Sequence, residues 1–422
     1  MSAKCKTVLK GFTYMYCDDF AKYLSNMAAK GWHFKEWGAG LKFEKGEPEQ
    51  AVYAVEVFTK ASENDMRPEP NTQEFAEYCE AAGWKFIDAK QKYCIFKKVD
   101  ENAVELFTPE ERVTNAFKGT VSGINLLLFF LYGLNAVLQW IRLFGSFEIA
   151  IFSDAYLVNL AIWNVMFLGQ FVTFTQAFWK KHKLIRGIRR GREVYLGNRR
   201  DGKFRLSWND IYIGILVLLL MYYFFAMDRV EIIVVNAIIV GVTVGFVIIM
   251  NRIRPERDTY VVVQIGFSMV LIVTIVALMI GVFGNETVAE LEADDLPVLI
   301  SDYREETDEV VDLISYYHEE NVFGSMDKYN VYYEEEIIHY YVYQSTFAGI
   351  LDKVWDDILS KKRFNEDAVD CTGDWNAEKA VRNKLGTYYV RYDNAVLEFS
   401  DDEEVYLTDE QIDIILDKLG LR

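Results

Sequence analysis

Residues 120–144 read TVSGINLLLFFLYGLNAVLQWIRLF, and four more stretches of the same character follow before residue 284. They are YLVNLAIWNVMFLGQFVTFTQAFW (156–179), WNDIYIGILVLLLMYYFFAM (208–227), VEIIVVNAIIVGVTVGFVIIM (230–250) and YVVVQIGFSMVLIVTIVALMIGVF (260–283). A membrane-crossing helix needs roughly 20 mostly apolar residues, because about 30 Å of hydrocarbon is covered at about 1.5 Å per residue. Each stretch has that length. Arg142, Asp154 and Asp210 fall at the ends, where a charge reaches the headgroups. A soluble fold would have to bury five such helices within residues 120–284. The expectation is a five-helix transmembrane bundle.

Basic residues between the spans set its direction. The connection KKHKLIRGIRRGREVYLGNRRDGKFR, within the loop 180–207, holds eleven Lys and Arg against two acids. NRIRPERD, after the fourth span, holds three Arg, whereas GSFEIAIFSD, after the first, holds none. Positive charge stays on the cytoplasmic side. Both basic loops and the N-terminus are therefore expected inside, and the C-terminal region outside, in a cell membrane. Lys180, Lys181, Lys183, Arg186, Arg189, Arg190 and Arg192 are the topology anchors, and such a segment also attracts anionic lipid headgroups.

The formal charge of -18 is uneven. Residues 285–422 carry 35 acids and 12 bases, and residues 1–119 carry 19 acids and 17 bases. Neither end has the basic surface of a nucleic-acid binder. Four of the five cysteines fall in the region expected inside, Cys371 is alone outside, and no CxxC pair occurs, so neither a disulfide framework nor a cysteine metal site is expected. The N-terminus shows no apolar run of a cleaved signal peptide.

Residues 1–105 contain an internal repeat. FAKYLSNMAAKGWHFKEWGAGLKFEKG and FAEYCEAAGWKFIDAKQKYCIFKK each read as an amphipathic helix, Gly-Trp, then two short strands. Phe20, Leu24 and Met27 make one helical face, and Phe75, Tyr78 and Cys79 the other. Gly31 and Gly83 suit the left-handed residue that closes a helix, with Trp32 and Trp84 as the apolar contact after it. Adding strands near 6–14 and 51–58 gives a small α+β layer fold, two helices on one antiparallel sheet, with Asn71 or Thr72 as the second helix cap. Thr108-Pro109-Glu110-Glu111 opens a juxtamembrane helix over 106–119.

The paired Gly-Trp turns and FEKGEP, within MAAKGWHFKEWGAGLKFEKGEPEQAVYAVEV and EYCEAAGWKFIDAKQKYCIFKK, resemble the bacterial family called domain of unknown function 2812 (DUF2812). Its members are multi-pass membrane proteins, mostly of Gram-positive bacteria, often encoded beside PadR-like repressors. The resemblance implies that the membrane is a bacterial cell membrane and that the role is a membrane-linked accessory or sensory one, and it transfers no catalytic residues.

Inside the spans the polar side chains are amides and hydroxyls, among them Asn125, Asn135, Gln139, Asn159, Asn164, Gln170, Asn236, Gln264 and Ser268. Such groups bond between helices. No span contains Pro or a central ionisable residue, which argues against a transport path. Ala237, Gly241 and Gly245 form a ridge for close helix packing, inside the bundle or in a homo-oligomer.

Residues 285–422 read as a second α+β domain. Helical stretches are expected before residue 324, with Pro297 as a break. One or two strands follow in YNVYYEEEIIHYYVYQS, then an amphipathic helix with Phe347, Ile350, Leu351, Val354, Trp355 and Ile358 on its apolar side. Asp393-Asn394 marks a hairpin, and Thr408 to Gln411 caps the last helix. The acid runs 334–336 and 401–404 lack the spacing of a calcium loop, and His33, His318 and His339 have no partners at metal-ligand spacing. No catalytic or phosphate-binding motif appears. The reading is a non-enzymatic membrane accessory protein without cofactor, joining an outer domain to a cytoplasmic domain that binds a protein partner. A transporter or channel subunit and an outward-facing scaffold are the alternatives.

Overall fold

The computed structural model describes residues 4–197, 208–226, 230–283, 295–304, 311–334, 336–361, 368–401 and 406–421. Part of the basic loop (198–207), Glu335 and Asp402 to Glu404 of the acid runs, and the side chain of Asn236 therefore lie outside the described residues. The chain divides into two units. One comprises Met1–Gly133, Val165–Val217 and Arg229–Leu278; the other comprises Leu134–Asn164, Leu218–Asp228 and Met279–Arg422.

The first unit begins with two copies of a β-α-β-β element. β1 (Cys5–Val8), α1 (Cys17–Ala28), β2 (Trp32–Trp37) and β3 (Leu41–Lys45) form the first. β4 (Tyr53–Val57), α2 (Pro70–Ala81), β5 (Trp84–Lys90) and β6 (Tyr93–Lys98) form the second. Each copy closes its own antiparallel sheet with the same strand order, β1-β3-β2 and β4-β6-β5. Two three-stranded sheets thus replace the single sheet expected. Each helix is followed by Gly at positive φ, +74° at Gly31 and +89° at Gly83, where a Cβ would be strained. Each outer strand then carries an irregularity at the same place, between Phe34 and Glu36 and between Phe86 and Asp88. These kinks bend β2 and β5 where a shared ladder would otherwise continue. Side-chain bridges join the two strands instead: Trp37 N–H donates to Asp88 (2.6 Å) and Lys90 Nζ to the Gly38 carbonyl (2.9 Å).

Phe20, Leu24 and Met27 are buried as their spacing requires. On α2 the buried face is Thr72, Ala76 and Cys79, leaving Tyr78 exposed. Its cap is Glu69 with Pro70 in the first turn, so Asn71 and Thr72 lie inside the helix. Trp84 packs against the cluster containing Cys79 and donates to the Val104 carbonyl (2.7 Å), and Trp32 packs against the core that holds Phe20 and Leu24, with the amines of Lys6 and Lys45 near its ring. α3 (Pro109–Thr120) starts at a complete capping box between Thr108 and Glu111. It is no free linker: Val113 and Ala116 are buried in the core of the first repeat.

Five long helices follow: α4 (Gly123–Gly145), α6 (Asp154–Ile188), α7 (Trp208–Ala226), α8 (Val230–Ile253) and α9 (Arg257–Phe283), with short α5 (Phe147–Ala150) after α4. Among the described residues, Gly123–Gly145, Asp154–Ile188 and Arg257–Thr274 are long and apolar enough to cross a membrane; Ile211–Tyr222 and Ala237–Ile253 are shorter apolar helical stretches. Their outer faces carry Leu127, Phe130, Ile141, Phe144, Leu218, Val247, Val262 and Val270, all exposed in the isolated chain. Water would penalise that surface and lipid would not.

The second unit is built on a seven-stranded antiparallel sheet, β10-β11-β12-β13-β9-β8-β7. The strands are β7 (Leu313–Asn321), β8 (Gly324–Tyr332), β9 (Ile337–Gln344), β10 (Val369–Asp370), β11 (Lys379–Arg382), β12 (Tyr388–Arg391) and β13 (Ala395–Asp401). α10 (Ile300–Tyr303) and α12 (Asp409–Lys418) cover one face, around Tyr340, Trp375, Leu397 and Phe399. α11 (Ala348–Lys361) covers the other through Leu351, Val354, Trp355 and Ile358. Residues 313–321 were expected as helix. They form a strand because Ile314 and Tyr316 fall on one face at a two-residue period, and Ile314 joins the core.

Candidate functional site

The first unit holds both basic connections against its two repeats, one on each. On the first repeat the junction is Asp18, in the first turn of α1. One carboxylate oxygen accepts from Arg112 Nη2 of α3 (2.7 Å), and the other from Leu196 N–H of the basic loop (2.6 Å). Asp18 N–H returns a bond to the Leu196 carbonyl (2.8 Å), and Tyr195 OH donates to Asp19 (2.8 Å). Arg112 Nε also reaches both oxygens of Glu56 on β4, at 2.8 and 3.1 Å. Apolar packing continues the contact: Ala177 and Leu196 are buried in the core of the first repeat, with Leu184, Ile185, Ile188 and Val194 against it.

On the second repeat the connection between α8 and α9 is bound. Arg254, at φ +52°, donates to the Met66 carbonyl (2.7 Å), Asp88 (2.8 Å) and the Ala89 carbonyl (2.9 Å). Those three bonds hold a backbone conformation that a long side chain rarely adopts. Arg257 makes a forked pair with Asp65 (2.6 and 2.8 Å), and its N–H donates to Glu69 (2.9 Å). Arg67 pairs with Glu256, and Lys90 with Asn251. Asp65 and Asp88 are almost fully buried, and a buried carboxylate needs such a partner.

The seven basic residues singled out by sequence separate into two groups. Lys180 Nζ donates to the Met15 carbonyl (2.7 Å) and lies 3.7 Å from the Tyr16 ring centroid; burial lowers its ammonium to about 8. Lys181 lies over Phe117. Both therefore bind protein. Lys183, Arg186, Arg189, Arg190 and Arg192 are exposed. The ridge expected on α8 is open: Ala237 is exposed, and a Cβ added at Gly241 or Gly245 meets nothing within 4 Å. Three of the amides of α4 and α6, Asn125, Asn164 and Gln170, are used in helix contacts. Trp140 Nε1 donates to Asn164 (3.2 Å), Asn125 Nδ2 to the Thr120 carbonyl (3.0 Å) and Gln170 Nε2 to the Asn125 carbonyl (3.5 Å).

The histidines have ordinary partners. His33 meets the Glu47 carbonyl at 2.8 Å, which ties β2 to the FEKGEP turn, and His318 pairs with Asp327 at 2.7 Å. Glu336 and Asp401, from the two acid runs, both bind Arg304. A shallow cleft of about 340 Å³ lies where α3 meets α4, lined by Thr59, Ser62, Glu63, Lys92, Ser122 and Ile124. Its charges are already matched, because Lys92 pairs with Glu63 (3.0 Å), which also accepts from Tyr14 OH (2.7 Å). Repeat periodicity could locate the two domain halves. It could not locate Asp18, Glu56, Asp65 or Asp88 as anchor points, since each looks like a surface acid until its distant arginine is placed.

Glu56 gives this site a pH dependence. Burial raises its carboxyl to about 7, against the lowering effect of Arg112. Between the unfolded value near 4.5 and about 7, the folded chain holds the proton and the unfolded chain does not. This group's contribution to stability therefore falls as pH rises through that window and is flat above it. Thermal melts from pH 5 to 8 should show that slope in the wild type, and Glu56→Gln should flatten it.

The arrangement defines a chain with an α+β unit whose repeats each grip one connection between long apolar helices, and a second α+β unit on a seven-stranded sheet. Residues 17–130 match the family described as a protein of unknown function, DUF2812. The match runs from the start of α1 through α3 and into the first turns of α4, leaving β1 outside it. No curated protein and no solved structure matches the chain.

Proposed function

We propose that this chain is a five-span membrane protein of the accessory or sensory kind, in which a cytoplasmic α+β unit reads the position of the spans. The observation that carries the reading is the double grip: Asp18 on the 180–196 connection, and Asp65 with Asp88 on the 251–257 connection. A span that tilts or shifts pulls on a buried ion pair, and the repeat that holds it must respond. Binding of both basic connections by the N-terminal unit supports a common, cytoplasmic side for all three, in keeping with the positive charge between the spans. Exposed Lys183, Arg186, Arg189, Arg190 and Arg192 suit anionic headgroups at that surface.

The outer unit holds the connection between the first two spans in the same manner. Asp357 of α11 accepts from Phe147 N–H (2.8 Å), and Asn321 Nδ2 donates to the Ile151 carbonyl (3.0 Å). α4, α6, α7 and α9 each contribute residues to both units, which makes these helices the natural connectors. The output is a cytoplasmic protein partner, and the family resemblance suggests a PadR-like regulator for that place. Affinity recovery of the full chain from native membranes tests this. A cytosolic protein in stoichiometric amount is expected. Recovery of none, together with solute uptake by vesicles containing the purified chain, would replace it with the transport reading.

A further inference from the structure

We infer that the outer unit rests an apolar knuckle, Val322, Phe323 and Phe347, in the outer leaflet of the bilayer, and that the lipid surface is its docking partner. The inference rests on the membrane-spanning reading of α4 and α6. Phe347 shows the anomaly first. Its spacing places it on the apolar side of α11, yet it lies before the helix start and is 51% exposed. Val322, at the tip of the β7–β8 hairpin, is 82% exposed. Phe323 lies between them, with its ring 6.4 Å from that of Phe347.

The knuckle is built, not loose. Ser345 Oγ donates to the Phe323 carbonyl (2.6 Å) and accepts from Phe347 N–H (3.0 Å); Asn321 accepts from Phe323 N–H (2.8 Å). A rigid exposed apolar pair, Val322 and Phe347, costs free energy in water unless something apolar covers it.

Its position along the chain says what covers it. Asn321 also binds the Ile151 carbonyl, and Phe152 is buried against Met326 and Tyr343, so the hairpin sits on the connection between α4 and α6. Only Ser146 to Ser153 separate the ends of those helices. The exposed apolar surface of α4, Leu138, Ile141 and Phe144, ends at Phe147 and Ile149, which are partly buried against the same cluster that Phe323 packs on. Arg142 lies 5.4 Å from the Tyr156 ring, and Asp154 accepts from Tyr222 OH (2.8 Å), a set of charged and phenolic groups that belongs at headgroup depth. The surface that covers Phe144 covers Val322.

Site-directed spin labelling of the full chain in phosphatidylcholine–phosphatidylglycerol nanodiscs tests this, with Cys5→Ser to remove the exposed native thiol. Labels at Val322→Cys and Phe347→Cys should be several-fold more accessible to oxygen than to an aqueous nickel chelate, as should Val137→Cys on α4. Leu385→Cys, on an exposed hairpin of the same unit, should show the reverse. Chelate accessibility at Val322 and Phe347 equal to that at Leu385 overturns the inference while leaving the spans intact. Shielding from both reagents overturns it in favour of a protein partner, such as a second copy. Chelate accessibility at Val137 as well removes the membrane reading and the inference with it.

Discussion

Arg112→Ala should lower the melting temperature of the full chain by about 10 °C. The substitution leaves two carboxylates, Glu56 fully enclosed and Asp18 largely so, without the guanidinium that neutralises both. Breaking one side of a buried pair costs about 3–5 kcal/mol: Asp18 keeps its charge without that cation, and Glu56, already raised to about 7, keeps an enclosed carboxyl that has lost its donor. In a unit of this size each kcal/mol moves the midpoint by roughly 2–4 °C. The loss should not be confined to the first repeat. Asp18 also receives Leu196 N–H, so the basic connection should loosen and its amides exchange faster. Combining Arg112→Ala with Glu56→Leu removes the enclosed carboxyl left without a donor and should recover part of the stability. A double variant no better than the single one would place the loss in packing around α3 instead.

Gly324→Ala should disrupt the second unit alone. Gly324 opens β8 at φ +141°, beside Gln344 of β9, and a Cβ there would overlap the Gln344 carbonyl oxygen, which is backbone and cannot turn aside. The cost is about 3 kcal/mol or more, from strain at a conformation reserved for glycine plus a displaced ladder. Limited proteolysis reads the outcome: cleavage within 295–421 should accelerate sharply while residues 17–98 stay resistant. Unchanged proteolysis would mean that the β8–β9 register tolerates a shift.

Local chemistry carried the sequence reading far. The capping boxes at Thr108–Glu111 and Thr408–Gln411 open helices where they were expected, and the Asp393-Asn394 turn joins β12 to β13. The Gly-Trp repeat anticipated both β-α-β-β copies, down to the left-handed glycines. What escaped was set by distant partners. Strand β7 depends on pairing with β8, and its acids and tyrosines also allow a helix until that partner is present. Tyr78 satisfied the α2 periodicity and is exposed, while Cys79 and Phe75 of the same expected face meet the core together with Thr72 and Ala76. Arg254 and Arg257 read as solvated, charge-biased topology signals, and both are bound to carboxylates more than 160 positions away in sequence. Spacing cannot show such a contact, because neither residue shares an element with its partner.

One thiol experiment tests the opposite-sides arrangement most directly. Cys371 cannot serve as the outer reporter, since it is buried and burial pushes its thiol up to about 11. Leu385→Cys, 74% exposed, takes its place, and native Cys5 is the exposed reporter at the other end. With an impermeant maleimide on intact cells, Leu385→Cys should react at once and Cys5 only after lysis. Reaction of Cys5 from outside, or protection of Leu385→Cys until the cells are opened, would contradict the account.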